Sequence, residues 1–357
     1  MKRNLIATIV GAMAFGAHAQ SNVTITGYAD GSVLAEGGAA AGRALKVSSG
    51  VSGPSRLIFR GSEDLGDGLS AFFHLEQGVT FDTGGSLQQG LFGRQAFVGI
   101  SSTSVGQLQA GLVYTPLFTT MRDVADPFRN SFVAQAGNIM TSGVPAGPKS
   151  VAFPNPSAAT GPVASGGLSR ANTLLYTTPK LSGFVGELAY SVGEQTGNQR
   201  SLRTIGGSAG YSQGPLNIRL AYERTNDAAA SDSARNTILG ANYDFGLVKV
   251  YFGYGTNKGF GTIDNTDLIV GVNVPVGAGN IRASYVKKND KSAANIDPHQ
   301  IGLGYVYNLS KRTMLHVSAA RIGNNAPNTS PAFYTVGSPG GPGTGDKAVA
   351  VGIGHFF

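Results

Sequence analysis

The side chains best suited to chemistry are the histidines and the serines close to them. Four histidines follow residue 19 (His74, His299, His316 and His355), and none has the His-Glu-x-x-His spacing of a zinc hydrolase. His316 lies two residues from Ser318, which puts both side chains on one face of a strand. A serine hydrolase also needs a third, orienting group, and no neighbouring residue supplies it. The sequence therefore predicts no catalytic residue, and an enzyme remains an alternative.

Metal binding has little support in the composition. The chain contains no cysteine, which excludes disulfides, thiolate zinc sites and a cysteine nucleophile. Asp123 and Asp126 could be calcium ligands, solvated loop acids or pore-facing acids. Calcium takes about six to eight oxygen ligands, so two carboxylates are too few for a dedicated site. We predict no metal ion and no cofactor.

Three arginines stand where their charges could act on a passing solute. Arg56 and Arg60 alternate with Leu57 and Phe59, so the basic and apolar side chains lie on opposite faces of a strand. In a membrane barrel a charge that faces lipid at mid-membrane costs about 2–4 kcal/mol, which directs these arginines, and Arg94, inward. The chemistry available to them is electrostatic selection of ions.

The composition limits the class of protein that could carry these charges. The chain has 357 residues, 53 glycines and only 13% charged residues, about half the usual quarter. Aromatic residues make up 9% of the chain, which is too many for a wholly disordered protein. The net charge of +7 is scattered, without the run of about five basic residues that favours nucleic acid, and we predict no nucleic-acid partner.

Residues 1–19 have the three parts of a secretory signal peptide. Lys2-Arg3 forms the positive start, Leu5 to Gly16 is apolar, and Ala17-His18-Ala19 provides the small residues that signal peptidase reads. Cleavage after Ala19 would leave 25 basic and 20 acidic residues, a net charge of +5. The alternative is a buried N-terminal helix.

Beyond residue 20 the dominant pattern is an alternation of apolar and polar residues with a period of two. The alternating segments are close to the ~9–11 residues of a tilted membrane strand, and short turns between them alternate with longer connections. About sixteen such segments begin near Val23, Ser55, Leu69, Phe92, Gln107, Asn172, Gly183, Leu202, Pro215, Asn236, Leu247, Asp267, Asn280, His299, Arg312 and Lys347.

The direction of the apolar face separates a soluble sandwich from a membrane barrel. The signal peptide, the low charge, the strand count and the aromatic residues at strand ends favour the membrane. Lipid does not tolerate open sheet edges, and sixteen strands enclose an aqueous channel. We therefore predict an all-β fold, a transmembrane antiparallel 16-stranded β-barrel over residues 20–357.

Two stretches interrupt the alternation. Residues 114–170, after the fifth strand, are dense in Gly, Pro, Ala and Ser, and a stretch of this length is usually functional or disordered. Its first half has aromatic and acidic residues enough to fold, whereas residues 143–167 are expected to be mobile. A second polar loop, residues 324–345, is expected to lie over one end of the barrel.

Several stretches also match a known family. The most specific is Ser55–Gly78, and the others are Val23–Gly31, Phe92–Ile100, Tyr114-Thr115-Pro116 and the ending Val351–Phe357. In these stretches the chain resembles the general diffusion porins of Gram-negative outer membranes, most closely the β-proteobacterial branch. The resemblance is dense from the second to the fifth strand and clear in the last.

The resemblance implies a homotrimer in the cell outer membrane, in contact with outer-membrane lipid including lipopolysaccharide. It also implies that loop three, the long loop after the fifth strand, folds into the lumen. By motif, Arg56 and Arg94 match wall arginines of a pore constriction, which Arg60 joins by alternation and which Asp123 and Asp126 would face. Phe357 matches the terminal residue read by the barrel-insertion machinery.

One departure concerns selectivity. Leu175 stands where the family often has a third basic residue, with Arg170 close enough to compensate partly. We predict an outer-membrane porin for passive diffusion of ions and small hydrophilic solutes, with a mild preference for small anions. The alternatives are an outer-membrane barrel enzyme (a lipase or protease) and a surface adhesin with a closed interior.

Overall fold

Sixteen antiparallel strands form a closed barrel in the computed structural model. The structure describes residues 22–39, 42–88, 90–140, 169–259, 263–291, 293, 295, 297–323, 334–339 and 343–357. The predicted signal peptide, residues 1–19, and residues 143–167 of the long loop lie outside the described residues. Among the described residues no helix is both long and apolar enough to cross a membrane.

The strands begin close to the residues that the alternation predicts. Their bounds are β1 Asn22–Ala39, β2a Gly42–Ser49 with β2b Arg56–Gly66, β3 Leu69–Thr80, β4 Gln95–Ser102, β5 Gly106–Tyr114, β6 Ser169–Thr177, β7 Phe184–Ser191, β8 Thr204–Gln213, β9 Leu216–Asn226, β10 Ser233–Asp244, β11 Lys249–Gly259, β12 Ile263–Val276, β13 Gly279–Asp290, β14 His299–Asn308, β15 Thr313–Gly323 and β16 Lys347–Phe356.

The first and last strands close the barrel. β1 pairs with β16 in antiparallel register from Tyr28 opposite Phe356 to Gly37 opposite Lys347. At the end of this ladder the Gly27 and Phe357 backbones exchange two hydrogen bonds, of 2.9 and 3.1 Å. Closure pairs every strand on both sides, which a sheet in lipid requires because its edge groups find no water.

The second barrel strand is interrupted. β2a pairs with the upper half of β1 and β2b with its lower half, so both segments continue one line along β1. The insert between them, residues 50–55, leaves the sheet and is held by Asp30, whose Oδ1 accepts the Val51 N–H at 2.7 Å. The sequence placed the start of this strand near Ser55 and missed β2a, since the Gly- and Ser-rich insert breaks the alternation.

The apolar face of the barrel is its outside. Large apolar side chains are exposed on alternate positions of many strands, including Val98 at 60% and Leu188 at 67%. The alternate positions hold buried polar groups such as Glu223 and Gln300. This polarity is the reverse of a soluble sandwich, so the membrane barrel predicted from the sequence is confirmed.

The long loop after β5 folds into the lumen. It begins with the helix α1 Pro116–Thr120 and a π-helical turn, Met121–Ala125, and it reaches the helix α2 Gly137–Met140 before the described part ends. Thr115 caps α1 by accepting the Phe118 N–H at 3.1 Å. We call residues 115–140 the inner loop. Its buried apolar side chains form a core between the loop and the barrel wall.

The second polar loop is partly described. Tyr334 and Val336 are buried, each 1% exposed, and the Gly337 N–H donates to Asn138 Oδ1 of the inner loop at 3.1 Å. This segment therefore rests on the tip of the inner loop.

Candidate functional site

A row of glycines on the inner wall receives the inner loop. A Cβ atom added to Gly253 of β11 would lie 2.7 Å from the Ala125 Cβ, and one added to Gly302 of β14 would lie 2.5 Å from the Ala134 Cβ. Cβ atoms added to Gly240, Gly271 and Gly304 would lie 3.2, 2.6 and 3.0 Å from side-chain atoms of Val124, Pro127 and Phe128, respectively. These glycines of β10, β11, β12 and β14 thus form a seat on which side chains of the loop pack directly against the wall backbone, a close approach typical of glycine in strands.

Side-chain amides of the wall fix the loop backbone on this seat. Asn242 Nδ2 donates to the Val124 carbonyl at 2.9 Å. Gln300 Nε2 donates to the Ala134 and Gln135 carbonyls at 3.0 and 3.1 Å, and its Oε1 accepts from Asn138 Nδ2 at 2.7 Å. Each of these three loop carbonyls thereby has a buried side-chain donor from the wall.

Asp126 lies inside the inner loop and does not face the pore. Its side chain is fully buried and accepts the N–H groups of Phe128, Asn130 and Ala136 at 2.9, 2.8 and 3.0 Å. Burial raises the pKa of Asp126 to about 6, against the opposing effect of these three donors. The sequence-based prediction of a pore-facing acid is therefore wrong for Asp126, which instead organises the turns of the loop.

The wall opposite this seat carries an arginine cluster that shares one carboxylate. Glu76 of β3 lies between Arg94 and Arg56, with its Oε1 2.8 Å from Arg94 Nε and 3.4 Å from Arg56 Nε. Gln95 Nε2 donates to the other carboxylate oxygen at 3.0 Å. The structure thus brings Arg56 and Arg94 to one carboxylate, that of Glu76, which the sequence analysis did not single out.

Arg60 lies on the same wall but contacts His74 and not the Glu76 carboxylate. Its Nε donates to His74 Nδ1 at 3.0 Å, and His74 Nε2 lies 3.2 Å from Glu76 Oε2. Since β2b pairs with β3 in register, Arg60 stands directly opposite His74. The exposed guanidinium of Arg60 therefore extends the basic wall along the strand.

Arg122, on the inner loop, brings a further guanidinium towards this cluster. Its guanidinium lies 5.0 Å from the centre of the Tyr114 ring and 5.1 Å from that of Phe118. Arg94 approaches the same Tyr114 ring at 5.9 Å, so the loop and the wall place two guanidinium groups around one tyrosine. In the sequence, Arg122 is distinguished only by its position next to Asp123.

Asp123 is bound within the loop itself. Its carboxylate accepts from Arg122 at 2.7 and 3.0 Å and from Arg129 at 2.9 Å. Burial opposes ionisation, but the two arginines outweigh it and lower the pKa of Asp123. Asp123 is therefore ionised, and the positive charges of Arg122 and Arg129 compensate its negative charge.

The described charges of this region sum to a positive surplus. Five guanidinium groups (Arg56, Arg60, Arg94, Arg122 and Arg129) face the two carboxylates of Glu76 and Asp123, which leaves three positive charges. Arg282 and Asp126, which also interact with each other, add one charge of each sign and leave this surplus unchanged. Arg170 does not add to them, because its Nη2 forms a buried ion pair of 2.5 Å with Glu223 of β9. Leu175 is buried and contributes no charge.

The serine and histidine neighbours do not form a hydrolase site. His316 Nε2 lies 2.8 Å from Asp30 Oδ2 and 3.4 Å from Ser32 Oγ, so acid and hydroxyl approach the same ring nitrogen. A catalytic triad needs them on opposite nitrogens. His316 and Asp30 are also buried, at 3% and 1% exposure, where no substrate reaches them.

Comparisons with known proteins agree with the barrel fold. A family model described as Gram-negative porin matches residues 7–327. The chain is 34% identical to outer membrane porin protein 32 of Delftia acidovorans over the full length of both chains. It superposes on the anion-selective porin from Comamonas acidovorans with a TM-score of 0.77 and 27% identity, covering 95% of this chain and 100% of that one. The trimer form of OmpT of Vibrio cholerae shares the fold, with a TM-score of 0.64 and 11% identity over 94% and 99% of the two chains.

Proposed function

The chain belongs to the Gram-negative porin family and forms a water-filled channel for passive diffusion in the outer membrane, and we propose that this channel prefers small anions. The observation that carries the proposal is the surplus of three positive charges where the inner loop meets the arginine wall. A positive constriction raises the local concentration of anions and lowers that of cations. The relative from Comamonas acidovorans, described as anion-selective, supports the same sign.

The surplus acts at short range. In salt of physiological strength the Debye length is about 8 Å, so only charges close to the path of the ion affect its passage. We assign the narrowest point to Arg56, Arg60 and Arg94 with Glu76 on the wall, and to Arg122 and Arg129 with Asp123 on the inner loop. Ion selection in such a pore needs rings of charge and no chemical step.

Arg122 takes the role that Leu175 cannot fill. The family position after the loop is apolar here, and Arg170 is paired with Glu223. Arg122 brings a guanidinium to the arginine cluster from the loop side, over the ring of Tyr114. Because Asp123 partly offsets Arg122, the anion preference is mild.

The sign of the zero-current potential in a planar bilayer tests this proposal. Under a tenfold potassium chloride gradient the wild-type channel should give a potential of anionic sign. A potential of clearly cationic sign would show that the net charge at the narrowest point is not the one assigned here.

The assembly and biogenesis follow the family. We infer a homotrimer in contact with outer-membrane lipid including lipopolysaccharide, a signal peptide in residues 1–19, and a terminal Phe357 read by the insertion machinery. The trimer form of the structural relative from Vibrio cholerae supports the first of these. A monodisperse monomer in detergents that preserve related trimers would contradict the trimer.

An enzymatic role has no support in the site. The family is one of channels, and the Ser32, His316 and Asp30 groups lie buried around one ring nitrogen. We propose that the protein is not an enzyme. Hydrolysis of an ester or peptide substrate by the refolded protein, abolished by His316→Ala, would overturn this.

A further inference from the structure

Arg60 differs from the other arginines of the constriction in its polar contacts. Each of the other four has a carboxylate within ion-pair distance (Arg56, Arg94, Arg122 and Arg129). Within the described part of the chain the Arg60 guanidinium forms no ion pair, and its one hydrogen bond runs from Nε to His74 Nδ1 at 3.0 Å. Because the rest of this exposed side chain is unheld, a single ring nitrogen sets the position of the Arg60 charge.

This hydrogen bond fixes the protonation state of His74. The nitrogens of a guanidinium only donate, so Nδ1 is the acceptor and the ring proton lies on Nε2. Nε2 in turn lies 3.2 Å from Glu76 Oε2, to which it donates. Both ring nitrogens are thus in use, and His74 is neutral in this arrangement.

The ring of His74 is held between its neighbours. It is 7% exposed and stacks on the ring of Phe97, with centroids 5.1 Å apart and planes within 5° of parallel. Phe97 of β4 stands opposite His74 on one side, and Arg60 of β2b stands opposite it on the other. These contacts keep Nδ1 aimed at Arg60.

A proton and Arg60 compete for the same nitrogen. A histidine with a proton on each nitrogen has no acceptor left. Protonation of His74 Nδ1 therefore removes the only hydrogen-bond acceptor of Arg60 and places a second positive charge beside it. Histidine is the side chain that ordinarily changes its charge between pH 5 and 8.

Charged groups of both signs face the His74 ring. The Glu76 carboxylate favours proton uptake, although it also serves two arginines. Arginines oppose uptake from β2b, from the segment before β4 and from the inner loop (Arg60 and Arg56, Arg94, and Arg122). The remaining polar and aromatic neighbours on β4 and β5 are uncharged at neutral pH (Gln95, Phe97 and Tyr114). Since Arg60 contacts the ring directly, it is the cation most strongly coupled to the proton.

We propose that His74 is a positioning residue for Arg60 and makes the selectivity of the channel depend on pH. Neutral His74 holds Arg60 against the wall, and protonated His74 releases it into the lumen. Proton uptake also raises the assigned surplus from three positive charges to four. The preference for anions over cations therefore increases on acidification. This inference rests on the anion-preferring channel proposed above.

The pH profile of the zero-current potential tests the role of His74. The potential is recorded between pH 8 and pH 5 under a tenfold potassium chloride gradient, with the same pH on both sides. In His74→Gln the amide oxygen can accept from Arg60 and the amide nitrogen can donate to Glu76, but the side chain takes up no proton. His299→Gln is the matched control, because it removes a histidine from the outer face of β14, where residue 299 alternates with the buried, inward Gln300.

We expect the three channels to have the same anion preference at pH 8. At pH 5 the ratio of anion to cation permeability should be about two-fold higher in the wild type and in His299→Gln than in His74→Gln. The buried carboxyl of Asp126, whose pKa is about 6, also gains a proton in this range, and it accounts for any rise that remains in His74→Gln. An equal rise in His74→Gln and the wild type would overturn the proposal. His74→Asn is a second neutral variant if His74→Gln does not refold.

Arg60→Gln tests the competition itself, which a merely structural histidine would not show. With the competing cation removed, the midpoint of the His74-dependent rise should move to higher pH by about one unit or more. This part of the rise is obtained by comparison with Arg60→Gln/His74→Gln. An unchanged midpoint would show that Arg60 and the proton do not compete. A cationic potential at pH 8 would contradict the proposed anion preference, whereas an anionic potential with a pH profile independent of His74 would contradict only the role of His74.

Discussion

Arg94 and Arg122 approach the same tyrosine, one from the barrel wall and one from the inner loop. Their guanidinium carbons lie 5.9 and 5.0 Å from the centre of the Tyr114 ring. Arg94 is paired with Glu76 of the wall and Arg122 with Asp123 of the inner loop, so the wall and the loop each supply a carboxylate. This arrangement keeps two like charges close together and makes both elements responsible for the sign of the constriction.

Replacing Arg94 by glutamate should remove most of the anion preference. The substitution lowers the assigned surplus from three positive charges to one and places a carboxylate beside Glu76. We expect the zero-current potential under a potassium chloride gradient to shift towards cations. Lys258→Glu, which changes the charge by the same amount on the outer face, is the matched control. An equal shift in both variants would mean that the overall charge, and not the constriction, sets selectivity.

Replacing Arg122 by glutamine should lower the ratio of anion to cation permeability by about two-fold, because one of three surplus charges is lost. Adding Leu175→Arg to this variant should restore the preference, since it returns a basic residue to the wall. Both are measured as zero-current potentials. If Arg122→Gln behaves as the wild type, Arg122 does not lie on the path of the ions.

Replacing Asp126 by asparagine should loosen the inner loop. The amide nitrogen cannot accept a hydrogen bond, so at least one of three buried N–H groups loses its partner, at a cost of about 1–3 kcal/mol. We expect faster trypsin cleavage after Arg129 and greater open-channel noise. Asp123→Asn, which leaves the loop turns intact, should not increase the noise. Unchanged cleavage in Asp126→Asn would contradict the structural role.

Acidification should hold the inner loop more firmly. The pKa of Asp126 in the folded loop is about 6, above its ordinary value of 3.8, so the folded state binds the proton more tightly. The resulting stabilisation is fully present below pH 4 and is lost as the pH rises through 6. Open-channel noise of the wild type should therefore fall between pH 7 and 5, while that of Asp126→Asn stays constant. A fall of the same size in both would assign the effect to other groups.

Filling the seat at Gly302 should displace the loop. A valine there would place its Cβ 2.5 Å from the Ala134 Cβ, a distance that neither backbone can accept. We expect the loop to move towards the pore axis, which lowers the single-channel conductance and raises its noise. Gly31→Val is the control, because a Cβ at Gly31 meets no atom within 4 Å. Normal conductance in Gly302→Val would show that the loop is not seated on this wall.

The strands are the part of the fold that the sequence predicts best. The alternation placed the start of β14 at His299 and of β3 at Leu69, and it directed Arg56 and Arg60 away from Leu57 and Phe59. A period of two suffices for this, because backbone geometry alone sends successive side chains to opposite faces, and lipid then decides which face is apolar.

Other features depended on contacts between distant segments. Glu76 joins the arginines only because the register of β2b with β3, and the position of Arg94 before β4, bring three segments to one point. Asp126 turned inward because the inner loop has no period, and its backbone N–H groups needed an acceptor away from water. In the sequence, the glycines that receive the inner loop look like any other strand glycines, and only the contacts with the loop identify them as its seat.

The sequence alone thus determined the strands and the direction of their side chains, since these follow from local geometry and the solvent. The tertiary structure decided which charges meet, since electrostatic interaction depends on distances that only the closed barrel and its folded loop establish.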